Sequence, residues 1–198
     1  MRRVSIFDEM EQCTPEEIQR LLPLVTDERR EEALRYRFTF GQFACLKSYV
    51  MLREMLESLG RSHPFHFGYN EHGKPFLKDH PDLHFNLSHC KNGILVAVSD
   101  QPIGVDIESY REVSDSLIHY TMNETEQRII RESDDPIRTF TEYWTQKEAV
   151  FKLRGTGITN DLHDLLKGDE QVETQVNPEK QYAYSIATKK RLTSRSAF

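Results

Sequence analysis

The chain has 198 residues, of which 37% are hydrophobic and 29% are charged, and its formal net charge at pH 7 is −6. This balance is typical of one globular domain or two small ones and excludes a disordered chain; because no apolar run is long enough to cross a bilayer, no membrane association is expected. The acidic net charge argues against a protein that binds nucleic acid through its overall electrostatic field.

The cysteines and the first residues bear on the cellular compartment. Cys13, Cys45 and Cys90 show no zinc or redox spacing, and the opening residues MRRVSIFDEM lack the apolar segment of a secretory signal peptide. We therefore expect reduced thiols and a cytoplasmic location.

Helical signals dominate the first third of the chain. Thr14 and Pro15 begin a capping-box pattern that predicts a helix to about Leu22, and a second helix is predicted from Thr26. The segment ACLKSYVMLREMLESLG predicts a long helix that stops at Gly60.

Three extended segments follow, over residues 83–89, 93–99 and 103–109, and they predict an antiparallel meander. In the third, IGVDIES, the β-branched residues share one face of the strand and Gly104, Asp106 and Glu108 share the other. The simplest interpretation is a half-buried strand whose polar face meets water. The alternative is a site in which a positive charge offsets the two carboxylates.

The remaining third reads as helices followed by a strand. Asn123 can cap a helix over ETEQRIIRE, and Pro136 and Gly155 mark the start and end of a longer helix. The segment QYAYSIAT predicts a final strand, followed by a basic tail that we expect to be frayed.

The chain contains a faint internal repeat. At an offset of one hundred residues, Thr39 and Phe40 match Thr139 and Phe140, and both windows are helical and precede strands. Two amphipathic helices can resemble each other by patterning alone, but an approximate duplication would give two similar halves, residues 1–110 and 111–198.

The longer C-terminal helix carries a second group of polar residues. Trp144, Glu148 and Lys152 are spaced four apart in WTQKEAVFK and so lie along one helical face. Taken alone, Glu148 and Lys152 could be an ordinary surface ion pair.

Together these motifs resemble the 4′-phosphopantetheinyl transferases, in particular the surfactin-synthetase-activating (Sfp) type. The resemblance is carried by IGVDIES and WTQKEAVFK, with GKPFL at 73–77 and FNLSHC at 85–90 in the family's order and spacing. It implies an α+β fold of two similar α/β halves with antiparallel sheets, related by a pseudo-twofold axis, in a monomer.

The resemblance also implies an activity. The 4′-phosphopantetheine group of coenzyme A would be transferred, with Mg²⁺, to a serine of an acyl carrier protein or peptidyl carrier protein, with release of adenosine 3′,5′-bisphosphate. Such carriers serve fatty acid, polyketide or nonribosomal peptide biosynthesis. The sequence does not specify which carrier is used.

Site residues follow from the same resemblance, position by position. The implied metal ligands are Asp106, Glu108 and Glu148; the implied catalytic residues are Glu148, Lys152 and Glu126; the implied coenzyme A contacts are Arg29, Lys74, Ser88, His89 and Lys152. Glu148 is the hypothesised base for the serine proton, and Glu126 is its rival.

Several of these residues have simpler interpretations. Glu126 lies three residues after Asn123, as a capping-box glutamate does; Lys74 could be a solvated turn lysine. Likewise, Ser88 and His89 could merely end a strand.

The chain also departs from the family on its first long helix. Relatives often carry a basic and a polar residue where this chain has Phe43, Ala44 and Cys45, which puts its affinity for coenzyme A in doubt. Two other functions therefore stay open: a magnesium-dependent nuclease or phosphodiesterase, which the four-residue spacing of Glu148 and Lys152 disfavours, and a catalytically silent carrier-binding protein.

Overall fold

The computed structural model describes residues 1–156 and 162–190. Within these ranges the strands and α-helices, in chain order, are β1 (Arg2–Phe7), α1 (Pro15–Leu21), α2 (Asp27–Leu34), α3 (Thr39–Glu57), β2 (Phe67–Tyr69), β3 (Pro75–Leu77), β4 (His84–Cys90), β5 (Gly93–Ser99), β6 (Ile103–Ser109), α4 (Asp115–Thr121), α5 (Glu124–Glu132), α6 (Pro136–Arg154), β7 (Glu170–Asn177) and β8 (Tyr182–Lys189). All sheet pairings are antiparallel, which confirms the α+β class. The basic tail expected to be frayed lies, from residue 191 on, outside the described residues.

The predicted starts of α1, α2 and α5 and the predicted end of α6 are confirmed by their caps, whereas α3 begins at Thr39, before the predicted segment. The hydroxyls of Thr14 and Thr26 accept hydrogen bonds from the third residue of their helices, and Asn123 forms a complete capping box with Glu126. Gly155 ends α6 in the left-handed conformation, at φ 61°. These ends satisfy backbone groups that a helix leaves unpaired.

The predicted meander is wrong in its third strand. β4 and β5 pair as expected, in a sheet of order β1-β5-β4, but β6 pairs with β8 in a second sheet of order β6-β8-β7. β1, α4, β7 and the short β2-β3 hairpin were not predicted. The apolar face of β6 explains the difference, because Val105 and Ile107 pack in one cluster with Leu95 and Ala97 of β5, so the two strands meet face to face.

β5 is buried on both faces, which accounts for its unbroken apolar sequence GILVAVS. Its residues Ile94, Val96 and Val98 pack in the core that contains α3, and the alternate residues contact β6. The strand therefore joins the two sheets into one packed structure.

The polar face of β6 does not meet water, contrary to the simplest interpretation of the sequence. α6 covers it so closely that a Cβ added at Gly104 would lie 2.1 Å from the carbonyl oxygen of Ala149 and 2.3 Å from the amide nitrogen of Leu153. Asp106, the next residue on that face, is 3% exposed. Glycine thus allows the backbone contact that brings α6 onto the carboxylates of β6.

Each half of the chain has a 19-residue helix, α3 or α6, packed on a three-stranded sheet. This similarity agrees with the faint repeat, while the pseudo-twofold relation and the boundary near residue 110 stay predictions. β6 lies before that boundary in sequence and pairs with β8, which lies after it. In the part of the chain that the structure describes, no helix is long and apolar enough to span a bilayer.

Replacing Gly104 should be strongly destabilising. Gly104→Ala puts a methyl group into the backbone of α6, and we expect the free energy of unfolding, measured by urea denaturation, to fall by about 3 kcal/mol or more. Gly93→Ala is the matched control, since its Cβ would approach the flexible tip of the Ile107 side chain, at 2.9 Å, and would meet the Phe7 carbonyl oxygen no closer than 3.4 Å. Equal losses in the two variants would contradict the close packing of α6 on β6.

Candidate active site

A buried ionic cluster lies where β4, β6 and α6 meet. The ammonium of Lys152 donates to Asp106 Oδ1 at 2.6 Å and to Ser88 Oγ at 2.9 Å, and the Ser88 hydroxyl donates to the same Asp106 oxygen at 2.8 Å. Asn86 holds β4 beside β6, because its side-chain oxygen accepts from the Val105 amide at 2.8 Å. The positive charge that the sequence required beside Asp106 therefore comes from Lys152, and not from a surface pair of Lys152 with Glu148.

Only one oxygen of Asp106 is satisfied by these contacts. Within the described residues, the buried Oδ2 atom has no hydrogen-bond partner. A buried carboxylate oxygen left without a partner is costly, so it is suited to an exogenous cation or donor. Lys152 can reach solvent, because its side chain is 28% exposed.

Glu108 on β6 and Glu148 on α6 are half-buried, and both interact electrostatically with Asp106 and Lys152. Burial and, next, the charge of Asp106 raise the pKa of both carboxyl groups, while Lys152 acts in the opposite direction. Their negative charges are therefore destabilised in the protein alone. A cation between them and Asp106 would relieve this repulsion.

The donor set fits a hard divalent cation. It consists of carboxylate oxygens, one of them buried and unpaired, and Mg²⁺ commonly binds to a few carboxylates together with waters and substrate phosphates. No three Asp, Glu, His or Cys side chains in the two described ranges already lie close enough together to hold an ion. The acidic residues alone are thus an incomplete coordination sphere.

Lys74 lies at the same junction and is not a solvated turn residue. From the β2-β3 turn, its ammonium donates to the carbonyl oxygens of Leu153 at 3.1 Å and Ile103 at 3.4 Å. Burial lowers the pKa of this amine. Both carbonyls are uncharged, so the charge of Lys74 is available to an anion next to it.

A cavity of about 270 Å³, here called the junction cavity, lies next to these groups. Its lining includes Lys74, Pro75, Asn86, Leu87, Phe151 and Lys152. Two lysines with different partners thus face one small space. This arrangement favours an anionic ligand that also has an apolar part.

Arg29 and His89 line a second cavity, of about 170 Å³, here called the Arg29 cavity. It shares Pro75 and Leu87 with the junction cavity, so the two spaces lie on either side of one wall. The ring of His89 lies 5.6 Å from that of Phe40, and desolvation and then the charge of Lys152 lower the pKa of the imidazole. His89 thus lines the Arg29 cavity and is still near enough to Lys152 and Asp106 to be affected by their charges.

Glu126 is in another environment. One of its oxygens lies 2.8 Å from the ammonium of Lys147, whose side chain is 1% exposed, and it also accepts from the Asn123 amide. Lys147 donates in addition to the Leu162 carbonyl. The sequence analysis missed Lys147, although its position directly before Glu148 in a partly buried helix was an available signal.

A much larger cavity, of about 1020 Å³, lies beside Glu126. Its lining contains His119, Glu126, Tyr143 and His163 but none of the three carboxylates expected to bind metal. The same is true of the junction cavity, but Lys74 and Lys152 both line it and Lys152 pairs with the buried Asp106, so the smaller cavity is the better candidate for the site.

Comparisons with known proteins agree with the motifs. A family model described as the 4′-phosphopantetheinyl transferase superfamily matches residues 102–195, a range that contains Asp106, Glu108, Glu148 and Lys152. The chain is 29% identical over 169 residues to the 4′-phosphopantetheinyl transferase Sfp of Bacillus subtilis (strain 168). The matched region covers 81% of this chain and 75% of that protein.

Two other relatives are similar over shorter regions. The match to the 4′-phosphopantetheinyl transferase psf-1 of Bacillus pumilus is 29% identical and covers 74% of this chain and 64% of the relative. The match to the 4′-phosphopantetheinyl transferase HetI of Nostoc sp. (strain PCC 7120) is 36% identical and covers 57% and 52%.

The Glu126–Lys147 pair should act as a single structural unit. Lys147→Met leaves a buried carboxylate without its partner, and we expect a loss of about 3–5 kcal/mol in the free energy of unfolding. The double variant Lys147→Met/Glu126→Gln removes both charges and should recover much of that loss, as measured by a denaturant double-mutant cycle. Strictly additive losses would contradict the pairing.

The raised pKa of Glu148 predicts a pH-dependent difference between wild type and Glu148→Gln. A carboxyl group with a raised folded-state pKa contributes stability that is fully present below its ordinary value of 4.5 and is lost as pH rises through the raised value. Glutamine does not titrate, so the melting temperature of Glu148→Gln relative to wild type, both with chelator, should increase from pH 4 to pH 7. A constant difference would contradict the burial of Glu148 beside Asp106.

Proposed function

This chain belongs to the 4′-phosphopantetheinyl transferase family, and on that premise we propose that it transfers the 4′-phosphopantetheine group of coenzyme A to a serine of an acyl or peptidyl carrier protein. One observation carries the proposal beyond family membership. The family's strand and helix motifs meet in space, because Lys152 of α6 pairs with the buried Asp106 of β6 at 2.6 Å beside a lysine-lined cavity.

The bond changes define what the site must do. The serine oxygen forms a bond to the phosphorus that carries pantetheine, the bond from that phosphorus to the bridging oxygen breaks, and adenosine 3′,5′-bisphosphate leaves with the electron pair. The serine proton must go to a base. The site must therefore hold a diphosphate, orient a hydroxyl group and accept one proton.

Asp106, Glu108 and Glu148 would hold Mg²⁺, with the buried Asp106 Oδ2 as the oxygen most in need of a partner. When bound, the ion would neutralise phosphate charge and orient the diphosphate. The protein itself holds the three carboxylates on β6 and α6, and Gly104 allows these two elements to come into contact.

Lys152 and Lys74 would place positive charge along the diphosphate. Lys152 is partly exposed and can move one of its donors from Ser88 or Asp106 to a phosphate oxygen, where it would stabilise the departing bisphosphate. Lys74 donates its hydrogen bonds to two neutral carbonyl groups, so these contacts leave its positive charge available to the diphosphate.

Glu148 is the base that we propose for the serine proton, directly or through one water. Its burial raises the pKa of its carboxyl group, which makes the carboxylate a better proton acceptor. Glu126 is less suited to this role, because its carboxylate is already bound to Lys147 and to the Asn123 amide.

Ser88 and His89 would position the donor at the boundary of the two cavities. Ser88 orients the Asp106 oxygen that Lys152 shares, and His89 lines the Arg29 cavity. Arg29 stays the proposed contact for the nucleotide end of coenzyme A. The monomeric state, the cytoplasmic location and the biosynthetic pathway served stay predictions.

A direct assay combines the protein, coenzyme A, Mg²⁺ and an apo carrier protein, and weighs the carrier by mass spectrometry. We expect the carrier to gain one phosphopantetheine, and Asp106→Asn to lower the rate by at least about a hundredfold, since it removes the central charge. Glu179→Gln, an equal charge change at an exposed turn, is the control and should keep the wild-type rate.

Assays of DNA cleavage and of binding, run beside the carrier assay, separate the other two functions. Magnesium-dependent cleavage of DNA without modification of any carrier would replace the proposal with the nuclease. Binding of a carrier without binding of coenzyme A would indicate the catalytically silent protein. Full activity in Asp106→Asn would refute the proposed metal site.

A further inference from the structure

Each of the three nitrogens of the Arg29 guanidinium group donates a hydrogen bond within the protein itself. Its Nε donates to the Cys45 carbonyl at 3.1 Å, one terminal nitrogen to Glu32 at 2.8 Å and the other to Ser48 Oγ at 3.4 Å. The guanidinium carbon also lies 5.6 Å from the ring centre of Phe67. Arg29 is 9% exposed, so these contacts fix the group and leave it little freedom to turn toward a ligand.

Glu32 cancels the charge of Arg29 in the cavity that both residues line. The cavity contains no lysine. Besides Tyr69, its remaining titratable side chains are His89, Tyr36 and Cys45. Desolvation lowers the pKa of His89, and burial raises the pKa of Tyr36 and raises that of Cys45 to about 11, so all three are neutral at pH 7. The Arg29 cavity therefore has a net charge close to zero.

A neighbouring cavity of about 290 Å³ has the same balance. Arg29 and Glu32 line it too, and its other charged side chains are Glu28 and Lys78. No surplus of positive charge is thus available on either side of the Arg29–Glu32 pair.

The position of the Arg29 cavity suggests which part of a donor would enter it. If the diphosphate lies at Lys152 and Asp106, as the proposed function requires, the adjoining space across Pro75 and Leu87 is within reach of the nucleoside. Aromatic and apolar walls, including Phe67, Tyr69 and Phe85, suit a base. A 3′-phosphate would bring about −1.5 to −2 charges beside the Glu32 carboxylate.

We propose that Glu32 is a specificity-determining residue: by neutralising Arg29 it makes the nucleotide subsite indifferent to the 3′-phosphate, so that the chain uses dephospho-coenzyme A about as well as coenzyme A. The proposal rests on the proposed function and adds the class of donor. It also gives a reason why Ala44 and Cys45 can replace basic and polar residues on α3: the subsite does not have to hold a phosphate.

The test compares kcat/KM for the two donors with one apo carrier protein. We expect the ratio for coenzyme A over dephospho-coenzyme A to be within about threefold of one in the wild type, and to rise about tenfold in Glu32→Gln, which frees the charge of Arg29 but keeps an oxygen that can accept its hydrogen bond. Glu32→Asp retains the charge and should stay near the wild-type ratio.

Glu31→Gln is the matched control. It removes the same charge from the same helix, but Glu31 is exposed and lines neither cavity. Its ratio should equal that of the wild type. Thermal melts of all variants show whether each is folded.

Calorimetric binding of both donors separates this inference from the proposed function. Equal binding without transfer to any carrier would support the role of Glu32 and contradict the transferase. Transfer with a hundredfold preference for coenzyme A, or a ratio that Glu32→Gln does not change, would overturn the role of Glu32 and leave the transferase standing. Failure to bind either donor would overturn both.

Discussion

The ion pair of Asp106 with Lys152 is the contact on which the proposed chemistry depends. A carboxylate that is 3% exposed would be very costly without a partner, and the pair with Lys152 and the hydroxyl of Ser88 offset that cost. The three side chains come from three elements, so the same interaction fixes β4, β6 and α6 relative to each other. The ion pair can form only because residue 104 has no side chain, since any residue larger than glycine would push α6 away from β6.

Local signals predicted the helices and the motifs well. The caps at Thr14, Thr26 and Asn123 and the stop at Gly155 were readable because each depends on a few neighbouring residues. The partner of β6 was not readable. An alternating apolar face fits a ladder with β5 as well as packing against it, and only the tertiary structure places β8 beside β6.

The site shows the same division between local and long-range information. The resemblance named Asp106, Lys152 and Ser88 individually, and the structure brings these three together. Sequence patterns could not reveal that Lys74 would bind carbonyl groups of α6 and β6, because those groups are distant in the chain. Nor could they show that the Arg29–Glu32 pair would be partly buried in a cavity, because the same i, i+3 spacing is common on exposed helices.

The junction cavity and the Arg29 cavity differ in the charges that line them. Two lysines line the junction cavity, and one of them pairs with Asp106, whose charge adds to burial in raising the pKa of Glu108 and of Glu148. In the Arg29 cavity the charges are balanced, so shape and apolar contact decide what binds. The proposed binding of anion and metal would thus be concentrated at the junction of the two sheets, where the serine of a carrier would have to enter.

The most direct test of this account is a crystal structure of the protein with coenzyme A and Mn²⁺, in which anomalous scattering locates the metal. The account predicts a metal about 2.1 Å from Asp106 Oδ2, with Glu148 and the diphosphate of coenzyme A among its other ligands. A metal and diphosphate bound elsewhere, such as in the large cavity beside Glu126, with the Asp106–Lys152 pair unchanged, would contradict it.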